Sequence, residues 1–177
     1  GALVRLLGGM RLGQYYRGIW EAILVAFSTT SSAATLPVSL RVARERLGLP
    51  VPVVSAAMPL GASLARDGTG VCVGLLCTFS AQAFGIALGP ADYLVLVVGA
   101  VLLSLGAAGV PSAALFMLSG VLSLIGIAEA QTAAVAAFIL PFDRLLDMIR
   151  TVPNVTANLA VATAVARGDA ASGEEDR

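Results

Sequence analysis

Apolar residues in this chain come in long blocks broken by short polar punctuation. Residues 69–90 and 93–127 contain no Asp, Glu, Lys or Arg. Blocks of that length predict helices packed in a bilayer, because a spanning helix takes about 20 apolar residues. A first helix is predicted over 15–28, with Tyr15, Tyr16 and Trp20 suited to the membrane–water interface. It runs out in the small polar stretch STTSSAAT, and a second helix is predicted after Pro37, through SLRVARERLG. Neither arm has the apolar length for a full span, so the pair reads as a re-entrant hairpin.

Pro50 and Pro52 mark the next connection. A helix over about 53–65 is interrupted by RDGTG and resumes over about 71–88. Charge and glycine in mid-span indicate unwound backbone, which at membrane depth must be buried in protein or line a cavity. GPAD opens a second hairpin, with arms over 93–105 and 112–127 joined by GAAGVP. The expected organisation is the end of a preceding helix and a loop (1–13), then a core (14–167). That core holds hairpin 1 at about 15–47, the broken helix at about 53–88, hairpin 2 at about 91–127 and a last helix at about 129–167. GDAASGEEDR, residues 168–177, is expected to be a disordered tail. The fold class is therefore an all-α membrane protein with two re-entrant helical hairpins, one broken transmembrane helix and a C-terminal polar-faced transmembrane helix.

The last helix carries the densest chemistry, in the run DRLLDMIRTVPNVTAN. Asp143, Asp147, Arg150, Asn154 and Asn158 are spaced four, three, four and four apart. At about 100° per residue they fall within a stripe of roughly 80°. Ionisable groups at membrane depth are expensive and face a partner, a substrate or a water-filled cavity. Two acids, one arginine and two amides on one face can hold a zwitterion that carries extra negative charge. The competing reading is an internal Asp147–Arg150 ion pair at i,i+3.

Composition sharpens this picture. The 177 residues are 58% hydrophobic and 12% charged, with mean hydropathy +0.90, whereas soluble domains carry about 25% charge. The net charge is zero, which gives no footing for nucleic acid. Every basic residue is Arg and there is no His, so this chain holds no histidine metal site, Ser-His-Asp triad or histidine proton relay. Cys72 and Cys77 stand five apart, which is neither a CxxC nor a disulfide framework, and both read as core packing. No organic cofactor is implied. GALVRLLGGMRLG opens in mid-pattern without an initiator Met, so the chain is expected to be a piece of a longer protein.

Four motifs occur in order: SSAATLP, DGT, GAAGVP and D-x-x-x-D-x-x-R-T-x-x-N-V-T. With them the chain resembles the C-terminal transport core of the dicarboxylate/amino acid:cation symporter family, which includes the glutamate transporters. The resemblance covers about residues 11–167. It implies that Ser31 and Ser32, at the first hairpin tip, bind the substrate carboxylate, as exposed N–H groups at a helix start suit an anion. It implies that the second tip, with Gly109 and Val110, is a gate closing over the substrate through main-chain contacts. On the last helix it implies that Arg150 grips an acidic side chain and Asp147 takes the substrate amino group. Asn154 and Thr151 then hold the main-chain carboxylate.

The chain departs from the family where cations bind. The family's broken helix reads NMDGT, and here it is Ala65-Arg66-Asp67-Gly68-Thr69. A sodium-site asparagine has become Ala65, a methionine beside a sodium site has become Arg66, and an aspartate of the last helix has become Asn158. Sodium sites need several oxygens and negative charge, so these changes imply reduced sodium coupling. Arg66 is expected to stand in for one bound cation and to pair with Asp67 or Asp147. A proton carried by Asp67, Asp143 or Asp147 is the alternative coupling ion to Na+.

The resemblance implies a secondary active symporter for glutamate or aspartate, cation-coupled and working by alternating access. A C4-dicarboxylate symporter of the same family is the alternative. An intramembrane enzyme with Asp67 and Asp147 as its carboxylate pair is a distant third, since it gives Arg150 and the hairpin tips no role, and the chain is not read as an enzyme. The implied partners are a small acidic amino acid or dicarboxylate and the lipid bilayer. A homotrimer of the full-length protein in a bacterial inner membrane is the implied assembly.

Overall fold

The computed structural model describes residues 2–106 and 112–175, and every regular element among them is helical. A short helix α1 (Ala2–Leu6) precedes a helical hairpin made of α2 (Leu12–Thr29) and α3 (Ser32–Glu45). Then come α4 (Val51–Leu64) and α5 (Asp67–Ala83), the two halves of a broken helix. A second hairpin is built from α6 (Pro90–Leu105) and α7 (Ala113–Leu124). Next are α8 (Glu129–Ile139), a 3₁₀ turn (Leu140–Phe142) and the long helix α9 (Asp143–Glu175). No helix among the described residues is both long and apolar enough to cross a membrane on its own.

The apolar side chains sort into two cores. One gathers α1–α4 with Val155, Leu159, Ala160, Ala162 and Ala166 of α9. The other gathers α5–α8, including Val73, Leu118 and Ile139, and among the described residues Leu146 of α9 packs against it. Cys77 is buried in this second core and Cys72 packs against it, as free thiols. α9 packs against α1, α2, α3, α4 and α5 and so acts as the spine. The Tyr15 hydroxyl donates to the Thr156 carbonyl at 2.6 Å, pinning hairpin 1 to it. A Glu21–Arg41 ion pair joins the two arms of that hairpin.

Several boundaries differ from the expected ones. Pro37 does not start the second arm but lies inside α3. The start is set by Ser31, whose hydroxyl accepts the Ala34 N–H at 3.2 Å and caps the helix. The tip is thereby reduced to Thr30 and Ser31, with Thr30 in the left-handed region at φ 55°. The break in the middle helix falls at Ala65 and Arg66, and Asp67 is already helical, where a carboxylate favours the positive end of the helix dipole. The last helix is not continuous, because Pro141 cannot donate an α-helical hydrogen bond and the chain tightens into a 3₁₀ turn there.

The tail expected to be disordered from residue 168 is instead helical to Glu175. Its Ala and Glu residues favour helix, and extending an existing helix avoids the cost of nucleation. Gly109 and Val110, singled out at the second tip, lie outside the described residues.

Candidate functional site

The polar stripe of α9 is buried along its length. Asp143, Asp147, Arg150, Asn154 and Asn158 are all at most 6% exposed, and Thr151 is buried with them. Burial of so many polar groups is tolerable only with partners, and three other parts of the fold supply them.

The first is the broken helix. The first amides of α5 have no intrahelical acceptor. Those of Gly68 and Thr69 donate to the Asn154 Oδ1, at 2.8 and 3.3 Å. The Asn154 amide donates back to the Thr69 Oγ1 at 3.0 Å, and the same hydroxyl accepts Arg150 Nη1–H at 2.9 Å. Only glycine fits at 68, where a Cβ would meet the Arg150 carbonyl oxygen. Lower down, the Asn158 amide donates to the Met58 carbonyl at 3.0 Å, closing α4 onto α9.

The two hairpins supply the rest. Asp147 receives Arg150 Nε–H on Oδ1 at 2.6 Å, so the ion pair allowed by the i,i+3 spacing is formed. The backbone N–H of Ser112, at the start of the second arm of hairpin 2, donates to Asp147 Oδ2. The Thr151 hydroxyl donates to the Asp147 carbonyl at 2.7 Å and stays on its own helix. At hairpin 1, Arg144 donates to the Thr30 hydroxyl at 2.8 Å and to the Ser28 carbonyl at 3.2 Å. Ser32 is buried at this tip, and the Ser31 hydroxyl is engaged by Ala34. Both hairpins and the broken helix thus converge on α9 between Arg144 and Asn158.

Among the described residues, two guanidinium groups have a buried nitrogen that is not satisfied. Arg150 Nη2 and Arg66 Nε are buried with no hydrogen-bond partner. The expected pairing of Arg66 with Asp67 or Asp147 is not formed. Asp147 is already held by Arg150, and Asp67, at the first turn of α5, has an exposed side chain. Arg66, Asp67 and Asn158 instead line a cavity of about 920 Å³ between α4, α5, α6 and α9, whose wall is otherwise largely apolar.

Thr69, Ser112 and Arg144 are site residues that the sequence did not single out. Thr69 had a signal in the DGT motif. Ser112 acts through its backbone, and Arg144 lies off the stripe by one residue, so neither had one.

The model of the sodium:dicarboxylate symporter family matches residues 1–168. The chain is similar to the proton/glutamate-aspartate symporter of Bacillus subtilis (strain 168), at 33% identity over 169 residues. That match covers 96% of this chain and 40% of the relative. It is 34% identical over 144 residues to excitatory amino acid transporter 2 of Homo sapiens, covering 81% of this chain and 24% of the relative. The proton/sodium-glutamate symport protein of Bacillus subtilis (strain 168) is 32% identical over 165 residues, or 93% of this chain and 37% of the relative. The chain therefore spans less than half the length of these relatives.

Proposed function

This chain belongs to the sodium:dicarboxylate symporter family, the one its four motifs resemble, and on that footing we propose that it forms the substrate-carrying portion of a secondary symporter for acidic amino acids. The observation that carries this reading is the buried Asp147–Arg150 pair, in which Arg150 keeps its Nη2 amine without an acceptor. A substrate carboxylate supplies that acceptor, and a charge-assisted bond there is stronger than a neutral one. Asp147 takes the amino group, Thr151, Asn154 and the first-tip residues Ser31 and Ser32 take the main-chain carboxylate, and Gly109 and Val110 belong to the gate that the family resemblance implies. The relatives named for glutamate and aspartate transport support this substrate class.

A coupling cation moves with the substrate. Its candidate ligands are Asp67, Asn154 and Asn158, with Arg66 standing in for one cation, while Asp143, about 22 Å from Asn158 along α9, is a separate candidate proton carrier. A Na+ placed about 4 Å from a guanidinium costs about 4 kcal/mol at an effective dielectric constant of 20, which favours H+ over a full complement of Na+. The family resemblance is what supports a homotrimer in the bacterial inner membrane for the full-length protein.

A second reading is favoured by one feature. Both Asp147 oxygens already have donors within the protein, so a ligand without an amino group leaves nothing unpaired. That ligand is a C4-dicarboxylate. The test is uptake of labelled aspartate into proteoliposomes holding the full-length protein, under imposed Na+ or H+ gradients, with succinate as competitor. Accumulation of aspartate resistant to succinate supports the amino-acid reading. Uptake of succinate with no uptake of aspartate replaces it with the dicarboxylate one, and transport of neither overturns both.

A further inference from the structure

Arg66 is a positive charge without a protein counter-charge. It is 7% exposed, its Nε–H has no acceptor, and no carboxylate among the described residues lies within ion-pairing distance of it. Burying a guanidinium in this way is costly unless something anionic completes it. Arg66 immediately precedes α5, in whose first turn Thr69 accepts Arg150 Nη1–H. Gly68, two residues after Arg66, abuts the Arg150 carbonyl, so the backbone segments that carry the two arginines are in contact. Like charges held together at a buried site are a recurrent way of holding an anion, because each guanidinium offers a directed donor. Arg150, although paired with Asp147 through Nε, likewise keeps Nη2 buried and unused.

We propose that Arg66 and Arg150 together form a two-guanidinium seat for the side-chain carboxylate of the substrate, with Arg66 Nε–H and Arg150 Nη2–H as its donors. This rests on the acidic amino-acid reading and adds a specificity-determining residue to it. The seat sets charge selectivity. An amide side chain presents one acceptor and an unwanted NH₂ to two donors, whereas a carboxylate presents two acceptors and the compensating charge.

The test uses the full-length protein and its Arg66→Met and Arg66→Lys variants, titrated calorimetrically with aspartate, glutamate and asparagine, with thermal melts to verify folding. Methionine keeps the length of the side chain and is adaptable in packing. Lysine keeps the charge but not the fork. The expected result is that Arg66→Met lowers the preference for aspartate over asparagine by about tenfold or more, with Arg66→Lys in between. An unchanged preference, or an equal loss for both ligands, overturns the seat while leaving the acidic amino-acid reading in place. A wild-type protein that binds neither aspartate nor glutamate overturns that reading, and the seat with it.

Discussion

Gly68 lies so close to Arg150 that a Cβ added to it would stand 2.1 Å from the Arg150 carbonyl oxygen. The start of α5 and the middle of α9 are therefore in backbone contact, and Arg150 is placed by a main-chain fit. Gly68→Ala is expected to force the two helices apart, at a cost of roughly 1–3 kcal/mol, and to weaken aspartate binding through the displaced Arg150. Thermal melts in detergent together with calorimetric titration check both effects. A variant with a wild-type melt and wild-type affinity would show that this fit does not matter.

Asn154 serves two backbone amides and a hydroxyl. Asn154→Ala leaves the amides of Gly68 and Thr69 buried without an acceptor, at about 1–3 kcal/mol each. Asn154→Asp retains that acceptor and gains from the helix N-terminus. Denaturation midpoints are expected in the order wild type, Asn154→Asp, Asn154→Ala, and equal midpoints for the two variants count against the amide contacts.

The Asp147–Arg150 pair invites a double-mutant cycle. Asp147→Leu leaves a buried guanidinium unpaired, which typically costs about 3–5 kcal/mol. Adding Arg150→Met to it should restore part of the lost stability, because two apolar side chains replace two charges. Acidic ligands should bind neither variant. If the double variant is less stable than Asp147→Leu, the ion pair is not the dominant interaction of either residue.

Arg144 is exposed, yet it grips the tip of hairpin 1 through Thr30 and Ser28. Arg144→Ala is expected to change global stability by less than about 1 kcal/mol. Its signature should be local, as faster amide exchange over residues 28–35 measured by mass spectrometry. Exchange there at the wild-type rate would mean that the tip is held by its own capping alone.

Asn158 donates to the Met58 carbonyl, so Asn158→Asp sets a carboxylate against a carbonyl oxygen. The two oxygens repel unless a cation sits between them. The variant should melt lower than wild type in choline chloride and recover in sodium chloride, whereas the wild type should respond less to that exchange. Equal responses of the two proteins would argue that position 158 has no influence on cation binding.

Much of this was legible in the chain because helical periodicity and polar spacing act locally. The stripe on α9 is buried as its spacing implied, and glycine and charge within an apolar run signalled a broken helix, although the break falls at Ala65 and Arg66 rather than across RDGTG. What was not legible depends on tertiary partners. The Ser31 cap overrode Pro37 as the start of α3, since capping stabilises a helix start that a proline in the second turn does not prevent. The charge of Arg66 invited pairing with an acid, but Asp147 sits one turn from Arg150, which claims it first. The backbone N–H of Ser112 reaches Asp147 from hairpin 2, and no side-chain pattern announces a main-chain donor.

The two cores differ in when they can close. The one built on α5–α8 draws its members from a nearly contiguous stretch of chain, whereas the one built on α1–α4 needs residues of α9 from Val155 onward. Asn158 meets Met58 across 100 positions of sequence. During synthesis, which proceeds from the N-terminus, the first hairpin and α4 must therefore wait with an uncovered flank until the second hairpin has been made. Of the two halves, the one made earlier is the one completed later, so a ribosome stalled before residue 155 would expose the α1–α4 half to whatever factors guard nascent chains.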